Sequence, residues 1–160
     1  MIKSSQEYRQ ILGHYPTGVC AITAMSNEDE PLGMVVGSFT SVSLKPPLVG
    51  FFPDKSSTTW PSIWKSGCFC VNVLGAHQQA VCASLAMKGG EKFENITFDV
   101  SSLGSPIIEN ALAWIDCKLD SVHEMGDHWL VVGRVCELAL HADGEAMIFH
   151  KGGYKRVENS

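Results

Sequence analysis

Residues 33–47 read GMVVGSFTSVSLKPP, a stretch that joins two patterns rarely found together in a core strand. Large apolar residues that suit a β-strand are interrupted by glycine, serine and threonine. Glycine lets another backbone or a ligand approach closely, and small hydroxyl groups can form hydrogen bonds with a polar group. The residues alone leave two interpretations open: a ligand-binding strand, or an edge strand that runs into a serine-rich loop. In both cases we predict one strand that ends at Pro46 and Pro47.

Composition limits the classes of protein to which the chain can belong. Its 160 residues predict a single domain over residues 1–160, large enough to bury a core. The formal net charge is −5 and no run of Lys or Arg occurs, so nucleic acid and membrane surfaces are poor partners. The polar start MIKSSQEYRQ and the lack of a long apolar run predict a cytoplasmic protein. In that compartment its six cysteines are expected to be buried, reduced thiols.

The order of predicted elements favours a mainly β fold. The pattern predicts three short helices, within residues 4–16, 58–67 and 76–88, and six or seven strands. Two long β-type runs, at 111–122 and 128–140, are joined by HEMGD, which is typical of a hairpin. Residues 89–106 are predicted to be a long, mostly irregular loop. Short strands joined in sequence by hairpin turns indicate an antiparallel barrel with a few short helices.

The sequence lacks the motifs that mark the common catalytic classes. It contains no G-x-G-x-x-G, no G-x-x-x-x-G-K-[ST] and no G-x-S-x-G motif. The six histidines form no H-x-H or H-x-x-x-H pair, so no metal site is predicted. If the chain is an enzyme, a cofactor is therefore expected to supply the chemistry.

Three short motifs could form a binding site together with residues 33–47. KSSTT, residues 55–59, places one ammonium group, four hydroxyls and main-chain N–H groups at a predicted helix start, as in sites that hold a phosphate dianion. An ordinary helix cap in a Ser/Thr-rich turn is the alternative. GDHW, residues 126–129, places His128 at a hairpin turn, and FHKGGY, residues 149–154, adds His150 and a glycine-rich turn. These two motifs could also be simple turns.

Six segments resemble the short-chain flavin reductases, the small reductase components of two-component flavin-dependent monooxygenases. They are PTGVCAITA (16–24), GMVVGSFTSVSLKPPLVGFF (33–52), KSSTTW (55–60), GCFCVNVL (67–74), ALAWIDCKLDSVHEMGDHWLVVGRV (111–135) and FHKGGY (149–154). The resemblance covers nearly the whole chain in the same order. It implies a flavin-binding split β-barrel and a NAD(P)H:flavin oxidoreductase that supplies reduced FMN or FAD to a partner monooxygenase.

The resemblance also implies which residues bind the two cofactors, and it assigns no catalytic acid, base or metal. The flavin would contact the main chain of residues 34–38, with its phosphate at KSSTT and a covering loop at 92–93. These flavin residues are Met34, Val35, Val36, Gly37, Ser38, Thr40, Ser41, Lys55, Ser57, Thr59, Lys92 and Phe93. The nicotinamide side would be formed by His128, His150, Gly152 and Tyr154. At Gly37 family members usually carry a side chain, often Asn or Ser, so only main-chain contacts are expected there.

A homodimer is expected for two reasons. The resemblance implies one, and the chain has more large apolar side chains than one small barrel readily buries. The residues concerned are Phe51, Phe52, Trp60, Trp64 and Trp114.

The implied mechanism is direct hydride transfer from NADH to the flavin, which depends on positioning and on the exclusion of water. Two alternatives stay open. One is an oxidase of the pyridoxamine-phosphate oxidase type, which uses several Arg and Lys residues; the three arginines of this chain do not cluster in sequence. The other is a non-catalytic flavin or haem carrier. The sequence does not choose between FMN and FAD, while the lack of an arginine pair for a 2′-phosphate favours NADH over NADPH.

Overall fold

Three short helices and twelve strands form the part of the chain that the computed structural model describes, residues 1–2 and 4–157. The helices are α1 (Ser5–Leu12), α2 (Trp60–Ser66) and α3 (Gln79–Ala86). The strands are β1 (Thr17–Gly18), β2 (Cys20–Met25), β3 (Pro31–Val36), β4 (Thr40–Leu44), β5 (Pro47–Phe51), β6 (Cys68–Val73), β7 (Phe98–Val100), β8 (Pro106–Ile108), β9 (Ala113–Met125), β10 (His128–Leu140), β11 (Met147–His150) and β12 (Gly153–Arg156). The prediction of a mainly β fold with a few short helices is confirmed. The strand number exceeds the six or seven predicted, because short strands such as β1, β7 and β12 carry too few residues for a visible alternation.

Most of the strands belong to one seven-stranded sheet in the order β3-β2-β6-β9-β10-β5-β4. All of its neighbouring strands are antiparallel. The predicted hairpin of two long strands is confirmed as β9 and β10, joined by Gly126 and Asp127. Their register shifts between Val132 and Gly133 and again between Val135 and Glu137. Such shifts bend a strand pair, which helps a long hairpin to follow a curved sheet.

The stretch at residues 33–47 forms two strands, so the prediction of one strand is wrong. Strand β3 ends at Val36 and β4 begins at Thr40, and these two strands lie at opposite edges of the seven-stranded sheet. In a flat sheet the two edges would be about 29 Å apart, whereas the four Cα–Cα steps from Val36 to Thr40 span at most about 15 Å. The sheet must therefore curl until its edges approach each other. The residues between the strands, 37–39, are the connection that requires this barrel shape.

Alternate side chains of β2 enter two different hydrophobic clusters, one on each face of the sheet. Ile22 belongs to the cluster inside the curled sheet, where the Phe51 and Phe69 rings meet edge to face at 5.2 Å. Ala21 belongs to the second cluster, to which α3 contributes Leu85. The strand is thus buried on both faces, which explains its nearly continuous apolar sequence.

A buried polar network fastens β8 across β2 and β6. The Asn72 Nδ2 atom donates to Thr23 Oγ1 at 3.0 Å and to the Pro106 carbonyl at 3.3 Å, and Ile108 N donates to Asn72 Oδ1 at 2.8 Å. Asn72 and Thr23 are both fully buried. Because their polar atoms have partners, their burial does not carry the large cost of unpaired groups.

Two helix ends differ in detail from the prediction. Ser4 caps α1 by accepting a hydrogen bond from Glu7 N at 3.1 Å, as its spacing predicts, but the helix ends at Leu12 rather than near Pro16. Thr59 is the N-cap residue of α2, one of the two that were predicted, but its side chain forms no capping hydrogen bond. Ser57 Oγ instead accepts from Trp60 N at 3.2 Å. Gly67 ends α2 in the left-handed region, φ 76°, as predicted.

The six cysteines are free thiols, and four of them are buried as expected. Cys20, Cys70, Cys82 and Cys117 are buried, Cys68 is half-buried and Cys136 is exposed. Burial raises the pKa of the Cys20 and Cys70 thiols to about 12, which keeps them protonated and unreactive near neutral pH.

Replacement of Gly133 by alanine is expected to lower the free energy of unfolding by about 1–3 kcal/mol, the usual cost of overpacking a core. An added Cβ would lie 2.4 Å from Phe69 Cζ and 3.1 Å from Cys117 Cβ. Phe69 is buried and its ring packs on Phe51, so a shift of the ring would disturb the core. Chemical denaturation of the purified variant measures the change. Gly18→Ala is the matched control, because no atom lies within 4 Å of the Cβ position there. Equal stability of Gly133→Ala and the parent protein would contradict this packing.

Candidate active site

A cleft of about 340 Å³ lies between β3, the start of α2 and the loop after α3. Gly33 lines it from β3, Thr58 and Thr59 from the KSSTT motif, and Lys92 and Phe93 from the loop. Thr59, Lys92 and Phe93 are residues that the resemblance assigns to flavin binding, and Gly33 directly precedes the ring-binding segment 34–38. The fold therefore brings together segments that lie far apart in the sequence.

Lys92 connects the three walls of this cleft. Its Nζ atom donates to the Leu85 carbonyl at 3.1 Å, to Thr59 Oγ1 at 3.1 Å and to the Gly33 carbonyl at 3.3 Å. All three acceptors are neutral, so the positive charge of the ammonium group is not balanced by these contacts. Partial burial lowers the pKa of Lys92 from its usual value because desolvation disfavours the charged form. A half-buried cation with neutral partners is well suited to attract an anionic ligand.

Two glycines of residues 33–47 are explained by neighbouring side chains that occupy the space of a Cβ atom. At Gly33 a Cβ would lie 2.7 Å from Leu85 Cδ2 and 3.0 Å from the ring of Phe93. At Gly37 it would lie 2.8 Å from Thr17 Oγ1. Glycine therefore lets the loop aromatic pack directly on β3, and lets β1 approach the connection between β3 and β4.

The predicted ring-binding segment follows the edge of the sheet, where main-chain groups are available to a ligand. Strand β3 is the terminal strand beside β2, so the main-chain groups of alternate residues point away from the sheet. The Gly33 carbonyl is one of them, because it accepts from Lys92. The same alternation directs the main-chain groups of Val35 outward, and those of Met34 and Val36 toward β2.

The hydroxyl residues that follow differ in their exposure. Ser38 Oγ accepts from Phe52 N at 3.0 Å, which fixes the connection between the two edge strands. Thr40 and Ser41 lie on the other edge strand, β4, and are exposed. The hydroxyls of Thr40 and Ser41 are accordingly accessible to a ligand, whereas the Ser38 hydroxyl already accepts a hydrogen bond from the main chain of Phe52.

The loop that carries Lys55 is fastened to the β9–β10 hairpin. Lys55 N donates to the Asp127 carbonyl at 2.9 Å, and Trp129 N donates to the Pro53 carbonyl at 2.9 Å. The Lys55 ammonium forms an ion pair with Glu124 and lies 5.0 Å from the centroid of the Trp129 ring. Sequence reasoning missed Glu124 and Trp129. The two-residue turn of the hairpin was an available signal, because it sets the register in which these two residues face each other.

His128 lies beside this lysine-bearing loop. It forms an isolated bridge with Asp54, and its Nδ1 atom is 2.7 Å from Asp127 Oδ1. This hydrogen bond and the charge of the imidazolium form lower the pKa of Asp127. The fold thus places a residue predicted for the nicotinamide next to one predicted for the flavin phosphate, Lys55.

The other residues predicted for the nicotinamide side, His150, Gly152 and Tyr154, lie on the β11–β12 hairpin. That hairpin pairs with β1, where Phe149 faces Thr17, the residue that contacts the Gly37 position. Tyr154 accepts a hydrogen bond from Cys82 Sγ at 3.0 Å. Within the described residues, no hydrogen bond or ion pair joins this hairpin to His128. Through Thr17, the hairpin meets the ring-binding segment at Gly37.

Within residues 1–2 and 4–157, no group of three or more His, Cys, Asp and Glu side chains is arranged to hold a metal ion. No helix in the described part of the chain is long and apolar enough to cross a membrane.

Comparison with known proteins places the chain in a family. The profile of the flavin reductase like domain matches residues 12–158. A flavin reductase of Pseudomonas putida is 54% identical over 149 residues, which are 93% of this chain and 88% of that protein. HsaB, the reductase subunit of a flavin-dependent monooxygenase of Rhodococcus jostii, is 43% identical, with coverage of 96% and 78% respectively.

A solved structure gives the same result for the fold. An NADH:FAD oxidoreductase of Streptomyces globisporus, in complex with NAD and FAD fragments, superposes with a TM-score of 0.91 and 31% identity, covering 98% of this chain and 94% of that one. The shared fold and the sequence match extend over nearly the whole length of both chains. The chain therefore belongs to the family of proteins built on the flavin reductase like domain.

Proposed function

We propose that this protein is an NADH-dependent flavin reductase that supplies reduced FMN or FAD to a partner oxygenase. The observation that carries the proposal is the convergence of β3, the KSSTT motif and the 92–93 loop on one cleft. The printed names of the relatives support it, since they include a flavin reductase, a monooxygenase reductase subunit and an NADH:FAD oxidoreductase.

The residues present suit a flavin nucleotide. The outward main-chain groups of Val35 and of the exposed Gly37 can bond the polar edge of the ring, where small residues let the ring approach. The hydroxyls of Thr40 and Ser41 are exposed beside that segment, on β4. Lys55 adds a cation for the phosphate.

The second group of proposed contacts lies around the KSSTT loop and the covering loop. The hydroxyls of Ser57 and Thr59 each accept one hydrogen bond within the fold and keep a hydrogen to donate to phosphate. Lys92 adds a further positive charge, and Phe93 packs its ring against the Gly33 main chain. His128, His150, Gly152 and Tyr154 are proposed for the nicotinamide side.

When bound, the flavin supplies the redox chemistry, because it accepts a hydride from NADH. The chain contributes binding and orientation: it must hold two rings in contact and exclude water between them. Main-chain donors on the β3 edge can stabilise negative charge on a bound ring. The site residues proposed here include no catalytic acid or base, because hydride transfer requires neither.

A direct assay tests the proposal. NADH oxidation is followed with catalytic amounts of protein and added FMN or FAD, and with NADPH in place of NADH. We expect flavin-dependent NADH oxidation, faster than with NADPH. Flavin binding without NADH oxidation would instead identify a carrier. The absence of both would refute the proposed function.

We further propose that the protein is a homodimer. Large apolar side chains stay exposed in the single chain; Leu44 of β4 is 83% exposed, and Leu138 and Leu140 of β10 are 63% and 92% exposed. Trp64 is also 40% exposed, whereas Phe51 and Trp60 are buried. Light scattering at micromolar protein should give twice the mass of one chain. A strictly monomeric mass would contradict the dimer.

A single domain over residues 1–160 and a cytoplasmic location stay predictions from the sequence.

A further inference from the structure

Lys55 is already held by a carboxylate at the position proposed for the flavin phosphate. Its ammonium pairs with Glu124 and lies over the face of the Trp129 ring. The Lys55 side chain is 29% exposed and that of Glu124 is 70% exposed. A ligand in solution can therefore reach both members of the ion pair.

Three carboxylates lie near this loop, and they are engaged differently. Asp54 Oδ1 accepts a hydrogen bond at 2.7 Å from a main-chain N–H of its own turn. Asp127 Oδ1 is 2.7 Å from the imidazole of His128. Glu124 is the carboxylate that contacts the Lys55 ammonium. Of these three acids, Glu124 is therefore the one that can compete directly with an anion for the Lys55 ammonium.

The main chain and the side chain of Lys55 both have fixed neighbours, which hold its ammonium near Glu124. Its main-chain N–H is fixed to Asp127, and its side chain rests against Trp129. The Trp129 ring in turn packs edge to face on Trp64, with centroids 5.3 Å apart. A phosphate dianion at this ammonium would therefore lie close to the Glu124 carboxylate, and like charges at short distance repel.

We propose that Glu124 competes with the phosphate group of the flavin nucleotide for Lys55 and thereby limits flavin affinity. The inference rests on the proposed function, since it assumes that the protein binds a flavin nucleotide through Lys55. The ion pair keeps the ammonium in place when no flavin is bound, and the Glu124 carboxylate opposes the phosphate when that group arrives. A limited affinity suits a protein that passes its reduced flavin to a second protein.

The experiment compares Glu124→Gln with the parent protein by titrating flavin fluorescence with FMN and with riboflavin, which lacks the phosphate. We expect Glu124→Gln to lower the Kd for FMN about two- to fivefold, the scale of an exposed ion pair. The Kd for riboflavin should not change. The gain for FMN should shrink as salt is added, because salt screens exposed charges.

Two further variants isolate the contact. In a Lys55→Ala background, Glu124→Gln should lower the Kd for FMN less than in the parent protein, because the shared partner is absent and only the repulsion between the two anions is relieved. Asp120→Asn is the matched control: it removes one carboxylate from the same strand, β9, where Asp120 pairs with Arg134 at 2.9 Å. This control should leave the Kd for FMN unchanged.

Each other outcome overturns the inference. An unchanged Kd for FMN in Glu124→Gln would exclude competition, and a higher Kd would mean that Glu124 orients Lys55 for the ligand. An equal gain for riboflavin and FMN would exclude the phosphate as the competing group. If the parent protein binds neither FMN nor FAD, the proposed function fails together with the inference, which separates that failure from the others.

Discussion

The double variant Lys55→Ala, Ser57→Ala is expected to raise the Kd for FMN at least about tenfold. Hydrogen bonds to a charged group contribute roughly 1.5–3 kcal/mol each, and the variant removes two of the proposed phosphate contacts. Two full contacts would correspond to more than about a hundredfold, at 1.4 kcal/mol for each tenfold change. The expected minimum is smaller because the Glu124 carboxylate opposes a phosphate at Lys55. Titration of flavin fluorescence measures the change.

The fold imposes two controls on this experiment. Ser57 Oγ also accepts a hydrogen bond from the first residue of α2, and loss of such a bond costs about 1 kcal/mol of stability, so each single variant and its thermal unfolding must be measured as well. Lys65→Ala removes the same charge from an exposed position in the last turn of α2 and should leave the Kd unchanged. A folded double variant with the Kd of the parent protein would remove Lys55 and Ser57 from the proposed site.

The variant His128→Ala is expected to lower kcat/KM for NADH about ten- to a hundredfold, a loss of about 1.4–2.7 kcal/mol in transition-state stabilisation. The Asp127 carboxylate accepts from Nδ1, so a neutral His128 carries its proton there and keeps Nε2 as an acceptor. That atom can receive a hydrogen bond from the carboxamide of a nicotinamide and orient the ring. Steady-state kinetics with NADH varied at saturating flavin measure the effect.

The role of His128 is positional, so flavin binding provides the second measurement. His128→Ala should leave the Kd for FMN nearly unchanged while kcat/KM for NADH falls. His123→Ala is the matched control, because His123 is another exposed histidine of the same hairpin and bonds Ser121 at 3.0 Å. A His128→Ala variant with the kcat/KM of the parent protein would leave this histidine a simple turn residue.

The sequence predicted the elements whose signals are local. The cap of α1 at Ser4, the end of α2 at Gly67 and the β9–β10 hairpin are each specified by a few neighbouring residues. The family resemblance then supplied the candidate binding segments. The resemblance did not specify which side chains of those segments form hydrogen bonds within the fold, such as Ser38 with Phe52 N or Ser57 with Trp60 N.

The tertiary structure alone decided three features of the candidate site. It divided residues 33–47 at Gly37 between the two edges of a curled sheet, paired Lys55 with Glu124 on a hairpin far along the chain, and packed Phe93 on Gly33. Each feature joins residues that are distant in sequence, and each depends on strand register and on the curvature of the whole sheet. The local sequence pattern contains the alternation of apolar residues and the residues that favour turns. By itself it therefore determined that this chain forms short antiparallel strands. Which side chains meet across the barrel was decided when the sheet curled, because only then do its two edge strands approach each other.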